Sequence, residues 1–181
     1  MGEKMSKMNH ARWFGKNHRR VLCLGLQGSG KSTLTQFLSS QYPRAAKPLP
    51  ELGCYKFKVD KFTIAFYDLK GDAQSRFFWR HHFEGSQGII FVVDMSNADN
   101  IQLSKATLQE LLRDDLLRGL PFLIVANKKD ISNDFTEEQL TDMLELDRSK
   151  KEQWEIVKAC ATTGEGLREG LLWLLARMAP V

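Results

Sequence analysis

The sequence predicts an α/β domain built on a doubly wound, mostly parallel sheet. Three observations carry that expectation. Two continuous apolar runs, Ile89–Val93 and Pro121–Ala126, have the composition of strands buried on both faces. Segments of helical periodicity lie between and after them, so strands and helices alternate along the chain. A glycine-rich stretch, Gly25–Ser32, falls between an apolar run and a helical pattern, where open α/β sheets bind their ligands.

The elements follow in order. Residues 1–18 read as an extension in which Met5, Met8 and Trp13-Phe14 recur at near-helical spacing among basic residues. That pattern describes a short amphipathic helix, the alternative being a solvated arm. The opening Met1-Gly2-Glu3-Lys4-Met5-Ser6 fits the loose myristoylation pattern, which makes Gly2 the candidate acceptor. Val21–Leu24 is the first strand and Lys31–Ser40 the first helix. Residues 41–53 contain three prolines and read as a loop. Residues 54–60 and 61–68 are rich in aromatic and β-branched side chains on either side of Val59-Asp60-Lys61, which predicts a hairpin. A helix is expected over 99–117, where Ile101, Leu103, Leu108, Leu111, Leu112, Leu116 and Leu117 recur at helical intervals. Thr136 and Gln139 form a capping box opening a helix to Leu146. Trp154–Val157 is a short strand and Leu167–Met178 a final helix. The count is six strands, with one antiparallel edge strand and helices on both faces.

Composition sets bounds on function. A chain of 181 residues with 43% apolar and 27% charged residues suits one globular domain. Residues 1–20 hold six Lys/Arg and one Glu, and the other 161 hold 20 basic and 21 acidic side chains. The body is therefore close to neutral, which excludes the basic face a nucleic-acid-binding domain needs. Cys23, Cys54 and Cys160 are odd in number and lack metal-ligand spacing, so a reducing setting is expected. No apolar run approaches the roughly 18 residues of a membrane span, and no signal-peptide core follows Met1.

Chemistry enters at Gly25-Leu26-Gln27-Gly28-Ser29-Gly30-Lys31-Ser32, which fits G-x-x-x-x-G-K-[ST], the phosphate-binding P-loop. Glycines let the backbone wrap closely around phosphate oxygens, so successive N–H groups form an anion nest. The following helix adds its positive N-terminal dipole. Lys31 would reach the β- and γ-phosphates, and the Ser32 hydroxyl would ligate Mg²⁺. The fold class is thus that of a P-loop NTPase. Phosphate binding alone does not choose between ATP and GTP. Asn127-Lys128-Lys129-Asp130 does, since it follows directly on the apolar run 121–126. A carboxylate there accepts both guanine N1–H and the exocyclic amine, a pairing adenine cannot offer. Asn127 would contact the base and brace the P-loop, and the Lys128 stem would cover the ring.

With these residues in place the chain resembles the small GTPases, and among them the Arf/Arl (ADP-ribosylation-factor-like) branch. The resemblance rests on Gly25–Ser32, Asp68-Leu69-Lys70-Gly71, Phe78–Phe83, Gly88–Asp94, Asn127–Asp130, Cys160-Ala161-Thr162 and Gly164–Leu167. Val21–Gly25 and Gly170–Leu174 lean towards the cilium-associated Arf-like members, which implies a ciliary or basal-body location. The resemblance implies GTP/GDP and Mg²⁺ as ligands, held by Gly25, Gln27, Gly28, Ser29, Gly30, Lys31, Ser32 and Thr33. Asp68 would hold the metal through water and the Gly71 amide would sense the γ-phosphate. Cys160, Ala161 and Thr162 would form the second guanine loop, with the Ala161 amide on the base O6. It also implies a monomer, cytoplasmic and peripheral to membranes through residues 1–18. Residues 50–83 would meet effector, exchange and activating proteins.

Three departures bear on mechanism. Glu51 occupies the position of the family's switch threonine, and no Ser or Thr occurs from Gln41 to Phe62. A carboxylate there could ligate Mg²⁺, but at about 4 Å and an effective dielectric of 20 it repels a phosphate charge by roughly 4 kcal/mol. Asp72 replaces the glutamine that orients the attacking water. Lys70 replaces the first glycine of D-x-G-G. The positions matching the family's exposed aromatic triad are Cys54, Tyr67 and His82, a smaller and more polar set. His81-His82 lacks a third metal ligand nearby. Intact phosphate and base motifs beside altered switches imply nucleotide binding with slow hydrolysis. A nucleotide-bound scaffold that no longer switches is the alternative, and an ATP-using P-loop enzyme is a third reading.

Overall fold

The computed structural model describes residues 17–43, 45, 53–96, 98–131 and 135–178. Six strands form one sheet: β1 (His18–Gly25), β2 (Cys54–Val59), β3 (Phe62–Asp68), β4 (Gly88–Asp94), β5 (Phe122–Asn127) and β6 (Trp154–Lys158). Their spatial order is β2-β3-β1-β4-β5-β6. Every neighbouring pair is parallel except β2 with β3, so the antiparallel strand lies at one edge as expected. The helices are α1 (Lys31–Gln41), α2 (Ala73–Arg76), α3 (Ala98–Arg113), α4 (Glu137–Met143) and α5 (Leu167–Arg177). No described helix is long and apolar enough to cross a membrane.

The apolar runs are explained by the two cores. In β1, β4 and β5, Val21, Cys23, Ile90, Val92, Leu123 and Val125 face the side covered by α1 and α5. Their alternates Leu22, Leu24, Ile89, Phe91, Ile124 and Ala126 face the side of α3 and α4. Side chains alternate across a strand, so only a strand covered on both faces is apolar at every position. Helix α5 comes close to the sheet at Gly170, where a Cβ would lie 3.0 Å from Leu123.

Several boundaries differ from expectation, each with a local cause. β1 begins at His18, and the Asn17 carbonyl accepts from Thr63 N at 2.8 Å, so pairing with β3 reaches into the stretch read as extension. Helix α3 stops at Arg113 because the Asp114 carboxylate accepts from Leu116 N, opening a separate 3-10 turn over Asp115–Leu117. α4 has the expected capping box but ends at Met143. The β2–β3 hairpin turns through Asp60, whose φ of 49° lies in the left-handed region that aspartate tolerates. The described part of the 41–53 loop lies along β2: Pro43 O accepts from Lys58 N at 2.9 Å and Ala45 N donates to Lys56 O at 3.0 Å. That covers an otherwise open sheet edge.

Candidate functional site

The site forms at the carboxyl ends of β1, β3, β4 and β5. Gly30, with φ 99°, stands at the N-cap of α1 and turns the chain from β1 into the helix. Its carbonyl accepts from Leu34 N at 2.9 Å. Gln27 and Gly28 are exposed on the loop, Ser29 is buried, and Ser32 and Thr33 are exposed on the first turn of α1. The Lys31 stem is buried, and its ammonium donates to the Leu26 carbonyl at 2.8 Å. Burial pushes that ammonium below the ordinary lysine range, while Cys23, Asp68 and Asp72 pull it back up. A cation held inside the loop, its cost of burial only partly offset, is poised for an anionic partner.

Asp68 ends β3, and it lines the same cleft as Ser32. Burial raises the Asp68 pKa, with Ser32 and Lys31 opposing. A hydroxyl and a carboxylate are hard oxygen donors that fit Mg²⁺, which takes few protein ligands and fills its octahedron with water and phosphate. Gly71 lies directly over the P-loop: its carbonyl accepts from Gln27 N at 3.0 Å, and a Cβ there would be 2.1 Å from Gly25 O and 2.7 Å from Lys31 Nζ. These groups line a cleft of about 810 Å³ that also takes in Lys70, Asp72 and Tyr55. The volume is of the size that holds a cofactor.

The base-reading residues meet through one side chain. Asn127 is 2% exposed at the end of β5. Its Nδ2 donates to Ser29 O at 2.8 Å and its Oδ1 accepts from Ala161 N at 2.9 Å. The brace to the P-loop is as expected. The Ala161 amide, expected on the base O6, is held by Asn127 here, because the brace brings the 160s loop to the same point. Lys128 sits at φ 67° and its ammonium lies 2.6 Å from Asp94 Oδ2. Asp130 is exposed in the following turn. Cys160 is buried, with Sγ 3.0 Å from the Thr162 hydroxyl; hydrogen bonds from Thr162 and Thr163 hold its thiol below the usual range.

Asp94 is the functional residue that motif reading passes over. It is 6% exposed at the end of β4, and it also accepts from Ser96 N at 2.9 Å and Ser96 Oγ at 2.6 Å. Its one signal in the sequence is an acid closing the apolar run Ile89–Val93. The result is a carboxylate that anchors the Lys128 ammonium.

Beside the phosphate end, the Asp72 carboxylate is taken up by structure. It caps α2, accepting from Ser75 N at 2.9 Å, and the Ser75 hydroxyl and amide together hold its pKa below the ordinary carboxylate range. Lys70 is exposed, and its backbone carbonyl accepts from Trp79 Nε1 at 2.8 Å. Cys54 and Tyr67 are cross-strand partners; Arg20 lies 4.4 Å over the Tyr67 ring and donates to His82 O at 3.3 Å. Arg20 thus gathers Tyr67 and His82 on one surface. Among the described residues no group of three potential metal ligands includes His81 or His82. Gly2, Glu51 and residues 1–16 lie outside the described residues.

The comparisons with known proteins agree with this geometry. The model of the ADP-ribosylation factor family matches residues 5–178. ADP-ribosylation factor 3 of Arabidopsis thaliana is 39% identical over 163 residues, covering 89% of this chain and 88% of that protein. A phosphate loop, a carboxylate beside its serine and an asparagine joining it to a base loop stand here on a mostly parallel six-stranded sheet with one antiparallel edge, and the chain belongs to the ADP-ribosylation factor family of small GTPases.

Proposed function

We propose that this GTPase binds GDP and GTP with Mg²⁺ through an intact cradle and hydrolyses GTP slowly. One observation carries the second half. The side chain at the water-orienting position, Asp72, is shorter than glutamine and caps α2. A carboxylate spent on a backbone N–H is not free to place a water molecule, and its charge opposes a triphosphate. In the bound complex Gly25–Thr33 supply backbone N–H groups to the phosphates, Lys31 trades the Leu26 carbonyl for a phosphate oxygen, and Asp130 reads the guanine edge. Ser32 and Asp68 would hold Mg²⁺, which would supply positive charge against the phosphates. Cys160, Ala161 and Thr162 wall the base pocket, and Glu51 would offer the metal a carboxylate.

The test is single-turnover hydrolysis by the purified full-length protein. A slow rate that Asp72→Gln raises by roughly tenfold or more supports the proposal. A wild-type rate equal to that of a glutamine-bearing relative sinks it. A second reading, a nucleotide-bound scaffold that does not switch, draws on the same Asp72 cap together with Lys70. It requires GDP and GTP to raise the melting temperature equally, because a ligand with no state preference shifts no population.

Residues 19–181 form the nucleotide-binding domain in this reading. Residues 1–18 place the protein at a membrane surface as a monomer, and residues 50–83 meet effectors and regulators. The surface that Arg20 gathers from Tyr67 and His82 supports a partner contact more polar than an aromatic triad would make.

A further inference from the structure

We propose that Phe37 is a positioning residue for the nucleotide base, holding the loop Cys160–Glu165 where guanine is read. The inference rests on the guanine reading above and adds a second tether to the one Asn127 provides.

Gly164 has a φ of 83°, and a Cβ built on it would lie 1.8 Å from Phe37 Cζ and 2.1 Å from Cε1. The edge of the aromatic ring therefore fills the space beside this backbone. Any side chain at Gly164 would displace it. Within the loop, Cys160 N donates to Glu165 O at 3.2 Å and Gly164 N to Cys160 O at 2.8 Å, so the turn is closed on itself. The Ala161 amide ties it to Asn127 on one side. The Phe37 ring packs it at Gly164, and is itself partly buried against the core to which Leu34, Leu38, Ala161 and Leu167 belong.

The consequence follows from where Phe37 stands. It lies on α1, six residues after Lys31, on the same rigid rod that begins with the phosphate-binding groups. That separation is about 9 Å along a helix. Cradle and base loop are thus referenced to one element, and a nucleotide spanning both meets a fixed distance. Without the ring the loop keeps the Asn127 tether alone and samples wider positions. Base contacts then form less often, and the bound nucleotide leaves faster.

The experiment follows release of a fluorescent GDP from full-length protein for the wild type, Phe37→Ala, Phe37→Leu, Gly164→Ala and the double variant Phe37→Ala/Gly164→Ala. Each melting temperature is measured with and without GDP. Phe37→Ala is expected to release GDP about tenfold faster and to lose part of the GDP-induced rise in melting temperature. Phe37→Leu, which refills much of the space and keeps the fold safe, is expected within about threefold of wild type. Gly164→Ala should speed release strongly in the wild-type background and less once the ring it collides with is gone, since residues in contact do not act additively. Release at the wild-type rate from both single variants, or effects that simply multiply in the double variant, overturns the proposal. So does a fall in melting temperature that is equal with and without GDP, which marks a merely structural residue. Wild-type protein that retains no GDP overturns the guanine reading itself, a result visible before any variant is made.

Discussion

Asp68 and Asp94 end the two strands that flank β1, yet their carboxylates are pushed in opposite directions. At Asp94 burial alone would raise the pKa, but hydrogen bonds from Lys128 and Ser96 outweigh it and hold it below the ordinary range. At Asp68 burial prevails over Ser32 and Lys31, and the pKa is raised. The signs give opposite stability effects. A depressed folded-state pKa contributes stability that is present above the unfolded value near pH 4 and lost as pH falls through the folded value. Asp94→Asn should therefore cost roughly 1–2 kcal/mol at neutral pH, or about 2–8 °C in melting temperature. The gap from wild type should close as pH falls towards 3; thermal melts showing a constant gap there would refute the assignment. Asp68 carries a charge the fold disfavours, so Asp68→Asn should raise the melting temperature of nucleotide-free protein while abolishing the rise that Mg²⁺·GDP gives. A loss of stability without ligand would contradict that account. Functional carboxylates commonly sit at such a cost. Asp68 was legible from its place in Asp68–Gly71. Asp94 was not, because its partner Lys128 becomes a neighbour only when β4 and β5 pair in register.

Helix α2 shows what an element adds to a residue. It has four residues, and its first backbone N–H groups depend on the Asp72 cap. The sequence exposes Asp72 as a departure from the family pattern, yet not its occupation, because a cap exists only when the next turn is helical. That turn is pinned from outside by Trp79 Nε1 on the Lys70 carbonyl, a contact no local pattern encodes. The capping box at Thr136 is the contrasting case: both of its hydrogen bonds close within four residues, and it was readable directly. Asp72→Gln is thus expected to do two things at once. Hydrolysis should rise as in the test above, and the Ser75 amide should exchange its hydrogen faster because the cap, worth about 1 kcal/mol, is lost. Faster exchange with unchanged hydrolysis would assign Asp72 to structure alone and favour the scaffold reading.

Across the whole molecule, the division of labour follows the division of charge. The alternation of strands and helices, the six strands and the antiparallel edge were legible because apolar runs and helical periods are long-range patterns written locally. The joining of the second base loop was not: besides its brace to the P-loop, Asn127 accepts from the Ala161 N–H, a bond that neither motif announces. What the chain does state plainly is that residues 1–18 hold four Lys/Arg and one Glu, while the folded body is close to neutral. Each basic residue near an anionic bilayer contributes about 1 kcal/mol, so four supply roughly 4 kcal/mol, or close to a thousandfold in partition. Removing residues 1–16, which hold all four of these basic side chains and stop short of the pairing at Asn17 and His18, should accordingly abolish co-sedimentation with vesicles containing anionic phospholipid, and leave the GDP-induced rise in melting temperature intact. Binding of the full-length protein should weaken steeply with salt, as screening shortens the reach of exposed charges. Salt-insensitive binding would mean that Met5, Met8, Trp13 and Phe14, or an acyl chain on Gly2, supply the attachment instead. Retained binding after removal would move the membrane contact onto the folded domain, where the basic side chains of β1 and β2 would be next to test.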